Sequence, residues 1–177
     1  MRILMLMVLL NVYAGNLAAK NSFTDGPLIT GYGKHAKVEQ SHALDKNTKL
    51  NVAFDVSERT GDKLLNRKFD SLARFLNMHV ANGIPAKNIK LALVVHGKAG
   101  LDLLSHETYK KMANRDNPNG VLLAQLMANQ VTVYMCGQSA AYMEIASSDL
   151  YAGVQMPLSS MTAHALLQKE GYSLNPF

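Results

Sequence analysis

The strongest constraint on the fold is the apolar run at residues 89–96, where the chain reads Ile-Lys-Leu-Ala-Leu-Val-Val-His. A strand with one face in water alternates apolar and polar residues, whereas a strand of a parallel sheet is covered on both faces and is apolar almost throughout. Parallel neighbours also need long crossover connections, which are usually helices. The run therefore predicts a central strand of a parallel sheet in an α/β protein.

The rest of the chain alternates between strand-like runs and segments of helical periodicity. Further strands are predicted at residues 50–56, 131–135 and 153–157, with an edge strand at 172–174. Helices are predicted from Asp62 to Asn82 and Gly83, at residues 106–113, 121–128 and 140–145, and after Ser159 or Ser160. This order predicts a three-layer α/β fold with helices on both faces of a mostly parallel sheet.

The first 19 residues have the pattern of a secretory signal. Met1 and Arg2 precede an apolar block at residues 3–10, and small and polar residues follow as far as Ala19. The block is shorter than the roughly 20 residues of a membrane span. We expect cleavage near Ala18 or Ala19, a periplasmic location and no stable membrane span afterwards. Leu17 is large for its position before the cleavage site, which leaves retention as an uncleaved anchor as the alternative.

Composition excludes several classes of function for residues 20–177, which we expect to form a single domain. The full chain has a formal net charge of +5 at pH 7, or +4 without Arg2 of the predicted signal, but the lysines and arginines are scattered and do not form the clustered basic face of a nucleic-acid-binding protein. A single cysteine cannot form an internal disulfide. The histidines have no metal-ligand spacing, so we expect no metal site, and no motif indicates a cofactor.

Cys136 lies where a predicted strand gives way to a predicted helix. Reactive groups in α/β proteins gather at the carboxyl ends of the strands. A helix start would also favour the thiolate, so Cys136 is a candidate nucleophile. Free cysteine is equally among the most buried residue types, so an inert, buried Cys136 is the other interpretation.

Other candidate site residues flank these strand ends. His96 ends a predicted strand and is a candidate proton partner for Cys136, although a single structural hydrogen bond would also explain it. Lys98 is a candidate for attracting an anionic substrate, or is a solvated loop residue. Gly137, Gln138 and Ser139 are candidate substrate-binding donors, or simply the start of a helix. His164 faces the site, a neighbouring subunit or the core.

Five segments together resemble the exported branch of the DsrE/DsrF-like family. They are residues 94–97, Tyr109, the Asn-Pro-Asn turn at 117–119, the Val-Tyr-Met-Cys-Gly-Gln-Ser stretch at 133–139, and the tail at 161–172. The resemblance implies a flavodoxin-like three-layer α/β fold and assembly into trimers or hexamers. It also implies that Cys136 carries sulfane sulfur as a persulfide between donor and acceptor proteins or small thiols.

Two functional hypotheses follow. The first is a periplasmic sulfur-relay protein, with possible sulfurtransferase activity, in which Cys136 takes up sulfur and His96 is its proton partner. The second is a non-catalytic, oligomeric module that binds a small ligand and in which Cys136 is structural. The reactivity of the native thiol distinguishes them.

Overall fold

The computed structural model describes residues 23–61 and 63–175, and these contain one parallel sheet. Its strands are β1 (Leu50–Val56), β2 (Ile89–Val95), β3 (Thr132–Met135) and β4 (Ser173–Asn175), in the order β3-β2-β1-β4. Every neighbouring pair is parallel. In β2 only Lys90 is exposed, which explains the continuous apolar run in the sequence.

Five α-helices and three short 3₁₀ segments connect the strands within the described residues. The α-helices are α1 (Arg67–Ala81), α2 (His106–Ala113), α3 (Gly120–Ala128), α4 (Gly137–Tyr142) and α5 (Ser160–Lys169). The 3₁₀ segments are Ala86–Asn88, Gly97–Leu103 and Ser147–Asp149. No helix among the described residues is long and apolar enough to cross a membrane.

The two faces of the sheet have separate cores. The larger core includes Phe54 of β1, Leu93 of β2, and buried residues of α1 and α3. On the opposite face, Ala53 and Ala92 pack with Ala163 and Leu167 of α5. Small side chains at this contact let α5 lie close to the sheet. Helices therefore cover both faces, and the predicted three-layer, flavodoxin-like α/β architecture is confirmed.

Three predicted boundaries are wrong. The long helix begins at Arg67 because Asn66 caps it, accepting the Lys68 N–H at 3.0 Å. The predicted start, Asp62, lies outside the described residues, as does the predicted signal at residues 1–19. The helix predicted at residues 140–145 is α4, which begins directly after Cys136 and ends at Tyr142. It does not extend to 145 because Glu144 has a left-handed φ of 55°, which an α-helix does not allow.

The predicted strand at residues 153–157 is also wrong. Gln155 forms only an isolated bridge with Tyr134, through hydrogen bonds of its N–H to Val133 and of its carbonyl with the Met135 N–H. Gly153 has a φ of +94°, which is not extended backbone. Pro157 has no N–H with which to continue a ladder.

A buried asparagine attaches the irregular segment before β1 to α1. The Asn77 amide group donates to the carbonyls of Ile29 and Tyr32, at 2.9 and 3.1 Å, and accepts from the N–H groups of Leu28 and Ile29, at 3.2 and 3.0 Å. Both Asn77 and Ile29 are fully buried. The Asn77 side chain therefore holds the segment on the domain, because an amide group can donate and accept hydrogen bonds at the same time.

Candidate functional site

Cys136 lies between β3 and α4, at the carboxyl edge of the sheet. Val95 is the register partner of Met135, so His96 and Cys136 are the next residues of adjacent strands. The Cys136 N–H donates to the Val95 carbonyl at 2.8 Å, which fixes the backbone there. The residue is the N-cap of α4 and is only 4% exposed. The strand-to-helix junction predicted from the sequence is confirmed.

The starts of two helices lower the pKa of the Cys136 thiol. Burial raises this pKa, but stabilisation of the thiolate by the backbone N–H and hydroxyl groups of Ser139 and Ser160 outweighs the burial. The resulting pKa is about 7, against 9.0 for an unperturbed thiol. About half of the protein therefore carries a thiolate near neutral pH. Ser139 belongs to α4 and Ser160 opens α5, so the site needs both helices in place.

The Gly137 N–H hydrogen bonds to the backbone and does not stabilise the Cys136 sulfur. Its N–H donates to the Pro157 carbonyl at 3.0 Å. A Cβ at this position would lie 2.6 Å from the Pro157 carbonyl oxygen and 3.0 Å from that of Leu158. Glycine therefore lets the segment before α5 approach Cys136, and the donors to the sulfur are Ser139 and Ser160 instead.

Ser139 also connects Cys136 to a cavity. Its hydroxyl accepts the Gly97 N–H at 3.0 Å, and the Gly97 backbone has a φ of +54° with the Ser57 carbonyl packed against it. The cavity has a volume of about 450 Å³. Its lining residues are Gly97, Lys98, Gln138, Ser139, Tyr142 and Met143. The structure thus brings together three of the predicted substrate-binding residues, Lys98, Gln138 and Ser139.

A carboxylate flanked by two histidines occupies the same edge of the sheet. Asp55, the penultimate residue of β1, accepts a hydrogen bond from His96 Nε2 at 3.1 Å and another from His164 Nε2 at 2.8 Å. Burial raises the pKa of Asp55, but the hydrogen bonds from His164 and His96 outweigh it and hold the pKa below its usual value. The hydrogen bond that the structure gives the His96 side chain goes to this carboxylate. Its role as a proton partner of Cys136 stays a prediction.

Sequence reasoning missed Asp55 and Ser160, and left the orientation of His164 open. Ser160 and His164 are four residues apart on α5, so they share a face with about 6 Å between their Cβ atoms. One face of α5 therefore contacts both the thiol and the carboxylate. A polar residue near the end of an apolar strand was the available signal for Asp55. Within residues 23–61 and 63–175, no group of three or more His, Cys, Asp or Glu side chains is placed to hold a metal ion.

The sequence agrees with a known family over most of its length. A profile of the DsrE/DsrF-like family matches residues 59–176. The chain belongs to this family. The match to the DsrE/DsrF-like family includes Cys136 and every residue placed around it here except Asp55 and Ser57, which precede the matched range. No curated protein matches the sequence significantly.

Solved structures show likeness to this DsrE/DsrF-like chain at the level of fold. A protein of unknown function from Methanobacterium thermoautotrophicum is 14% identical, with a TM-score of 0.51, over 73% of this chain and 100% of its own. The ychN protein from E. coli is 19% identical, with a TM-score of 0.48, over 72% of this chain and 100% of its own. The first of these likenesses supports the α/β fold alone.

Proposed function

We propose that this protein is a periplasmic sulfur-relay protein that carries sulfane sulfur as a persulfide on Cys136. The observation that carries the proposal is a lone thiol whose pKa of about 7 is set by donors from α4 and α5. Such a thiol is both a thiolate at neutral pH and a good leaving group. Membership of the DsrE/DsrF-like family supports a function related to sulfur relay.

The chemistry needs two displacement steps. The Cys136 thiolate attacks the outer sulfur of a donor persulfide R–S–SH, the donor S–S bond breaks, and R–S⁻ leaves as the Cys136 persulfide forms. An acceptor thiolate then attacks the outer sulfur of that persulfide, and Cys136 leaves as a thiolate. No net electrons are gained or lost. The hydrogen bonds from Ser139 and Ser160 stabilise the thiolate before the first step and after the second.

Export and assembly are further parts of the proposal. The N-terminal pattern at residues 1–19 supports export to the periplasm. Large apolar side chains are exposed around α4 and α5, and they support a homo-oligomer, a trimer or hexamer. The most exposed are Tyr142 (90%), Met161 (76%) and Leu158 (71%). Donor and acceptor proteins or small thiols are the proposed partners.

Mass spectrometry of the intact protein tests the central step. Incubation with a sulfane-sulfur donor should add about 32 Da to the wild type and nothing to Cys136→Ser, because the chain has no other thiol. Adding an acceptor thiol should then remove the extra mass. A wild type that gains no sulfur, or a Cys136→Ser variant that gains as much, refutes the proposal.

One observation favours a second candidate function. Cys136 is 4% exposed, which suits a structural cysteine in a non-catalytic module that binds a small ligand. Alkylation of the native protein decides between the two. A rapid reaction with an apparent pKa near 7 supports the relay, and protection until denaturation supports the binding module.

A further inference from the structure

A cavity lined by Ser139 and Lys98 offers a candidate approach to the sulfur of Cys136. Cys136 itself is nearly inaccessible, but Ser139 both lines the cavity and helps to lower the pKa of the Cys136 thiol. Ser139 is therefore the residue that the cavity and the environment of the Cys136 sulfur have in common.

The cavity has the size and lining of a small-molecule site. Pockets of about 300–1,000 Å³ are typical for such ligands, and this one has about 450 Å³. Tyr142 and Met143 form an apolar wall, and Gln138 is a neutral polar group. Lys98 is the one ionisable basic residue of the lining within the described chain, and no carboxylate lies opposite it there. The site therefore suits an organic anion better than a bare inorganic one.

The loop that carries Lys98 is held in place. The Gly97 N–H donates to Ser139, and the Ala99 N–H donates to the Ser57 carbonyl at 3.1 Å. Both neighbours of Lys98 are thus fixed by hydrogen bonds, and only its side chain is free to adjust. The backbone of Lys98 is therefore held in a fixed position relative to Ser139.

We propose that this cavity binds a low-molecular-weight persulfide whose organic part carries a carboxylate. This inference rests on the proposed relay function and names its sulfur donor. The carboxylate pairs with Lys98, the organic stem lies against Tyr142 and Met143, and the outer sulfur points to Cys136 past Ser139. The Cys136 thiolate then attacks that sulfur, the donor S–S bond breaks, and the donor leaves as its thiolate.

Two donors and two lysine variants test the assignment. Glutathione persulfide carries carboxylates, whereas the persulfide of cysteamine carries an ammonium group and no carboxylate. Lys98→Gln should slow sulfur transfer from glutathione persulfide about fivefold, the effect of losing a partly exposed ion pair, and should not slow transfer from cysteamine persulfide. Lys110→Gln on the exposed face of α2 removes the same charge elsewhere and should leave both rates unchanged.

The readouts separate failure of this inference from failure of the function. Intact mass gives the rate of sulfur transfer, and alkylation by neutral iodoacetamide gives the reactivity of Cys136 without any ligand charge. If Lys98→Gln slows neither donor, or slows both equally, the cavity assignment is overturned while the relay stands. If no donor adds sulfur to the wild type, the relay and this inference fall together.

Discussion

Replacing Ser160 with alanine isolates one of the groups that make Cys136 reactive. The Ser160 hydroxyl is lost and the backbone N–H stays, so one of two donors from α5 disappears. A hydrogen bond to a charged group contributes about 1.5–3 kcal/mol, and one pKa unit corresponds to about 1.4 kcal/mol. The lower end of this range corresponds to a rise of about one unit in the thiol pKa, from about 7 to about 8, and we take this value as the smallest expected shift.

The expected effect of Ser160→Ala on the rate of Cys136 alkylation is a decrease at neutral pH and an increase at high pH. At pH 7 the thiolate fraction falls from about a half to about a tenth, a fivefold loss. A thiolate of higher pKa is also more nucleophilic, by about threefold per unit for a Brønsted coefficient near 0.45. Alkylation of Ser160→Ala should thus be about twofold slower than wild type at pH 7 and about threefold faster above pH 9. The two pH profiles should cross.

The assay is the rate of iodoacetamide alkylation as a function of pH, followed by intact mass. Cys136 is the only cysteine, so each rate belongs to one site. Ser71→Ala is the matched control, because that hydroxyl donates to the Arg67 carbonyl within α1. Its profile should overlay the wild type. A wild-type apparent pKa of 8.5 or above, or profiles of Ser160→Ala and wild type that do not cross, would refute the reasoning.

Two further substitutions test the framework of the site. The pKa of Asp55 is lowered in the folded protein, so its ionised form contributes stability that is present above the unfolded pKa of about 3.9 and is lost as the pH falls through the folded value. Asp55→Asn should therefore be less stable than wild type in urea at pH 7, with a difference that narrows below pH 4; a difference independent of pH would contradict this. Asn77→Ala should lower the free energy of unfolding by about 2–4 kcal/mol, because the backbone groups of Leu28, Ile29 and Tyr32 lose their partner. Asn88→Ala, which removes one exposed hydrogen bond to Lys46, is its control, and equal losses in the two variants would show that the buried amide is unimportant.

The central part of the fold could be predicted because a strand that is buried on both faces has a continuous apolar sequence, as β2 does. The boundaries of β1 matched residues 50–56, and β2 ended one residue before the predicted 96. The strand predicted at residues 153–157 was wrong because only Gln155 of this segment pairs with the sheet, which composition does not reveal. The predicted start of α1 was wrong because Asn66, and not Asp62, provides the N-cap.

The local part of the site was predictable, and the remote part was not. Lys98, Gln138 and Ser139 follow adjacent parallel strands, so the edge rule for α/β sheets brings them together. Ser160 reaches Cys136 only because α5 lies on the sheet through Ala53, Ala92 and Ala163. Periodicity shows which face of α5 is buried, but it does not show which strand end the helix start will meet. The pairing of Asp55 with His164 spans 109 residues and has the same origin.

The dependence of Cys136 on α5 makes the thiol an intrinsic reporter of local opening. If α5 detached from the sheet, the sulfur would lose the Ser160 groups that help to keep its pKa low. The folded protein would then react as a thiolate of low pKa, and the opened protein as a thiol of higher pKa. A partner that displaces α5 on binding would therefore raise the pKa of the thiol and lower the fraction of thiolate.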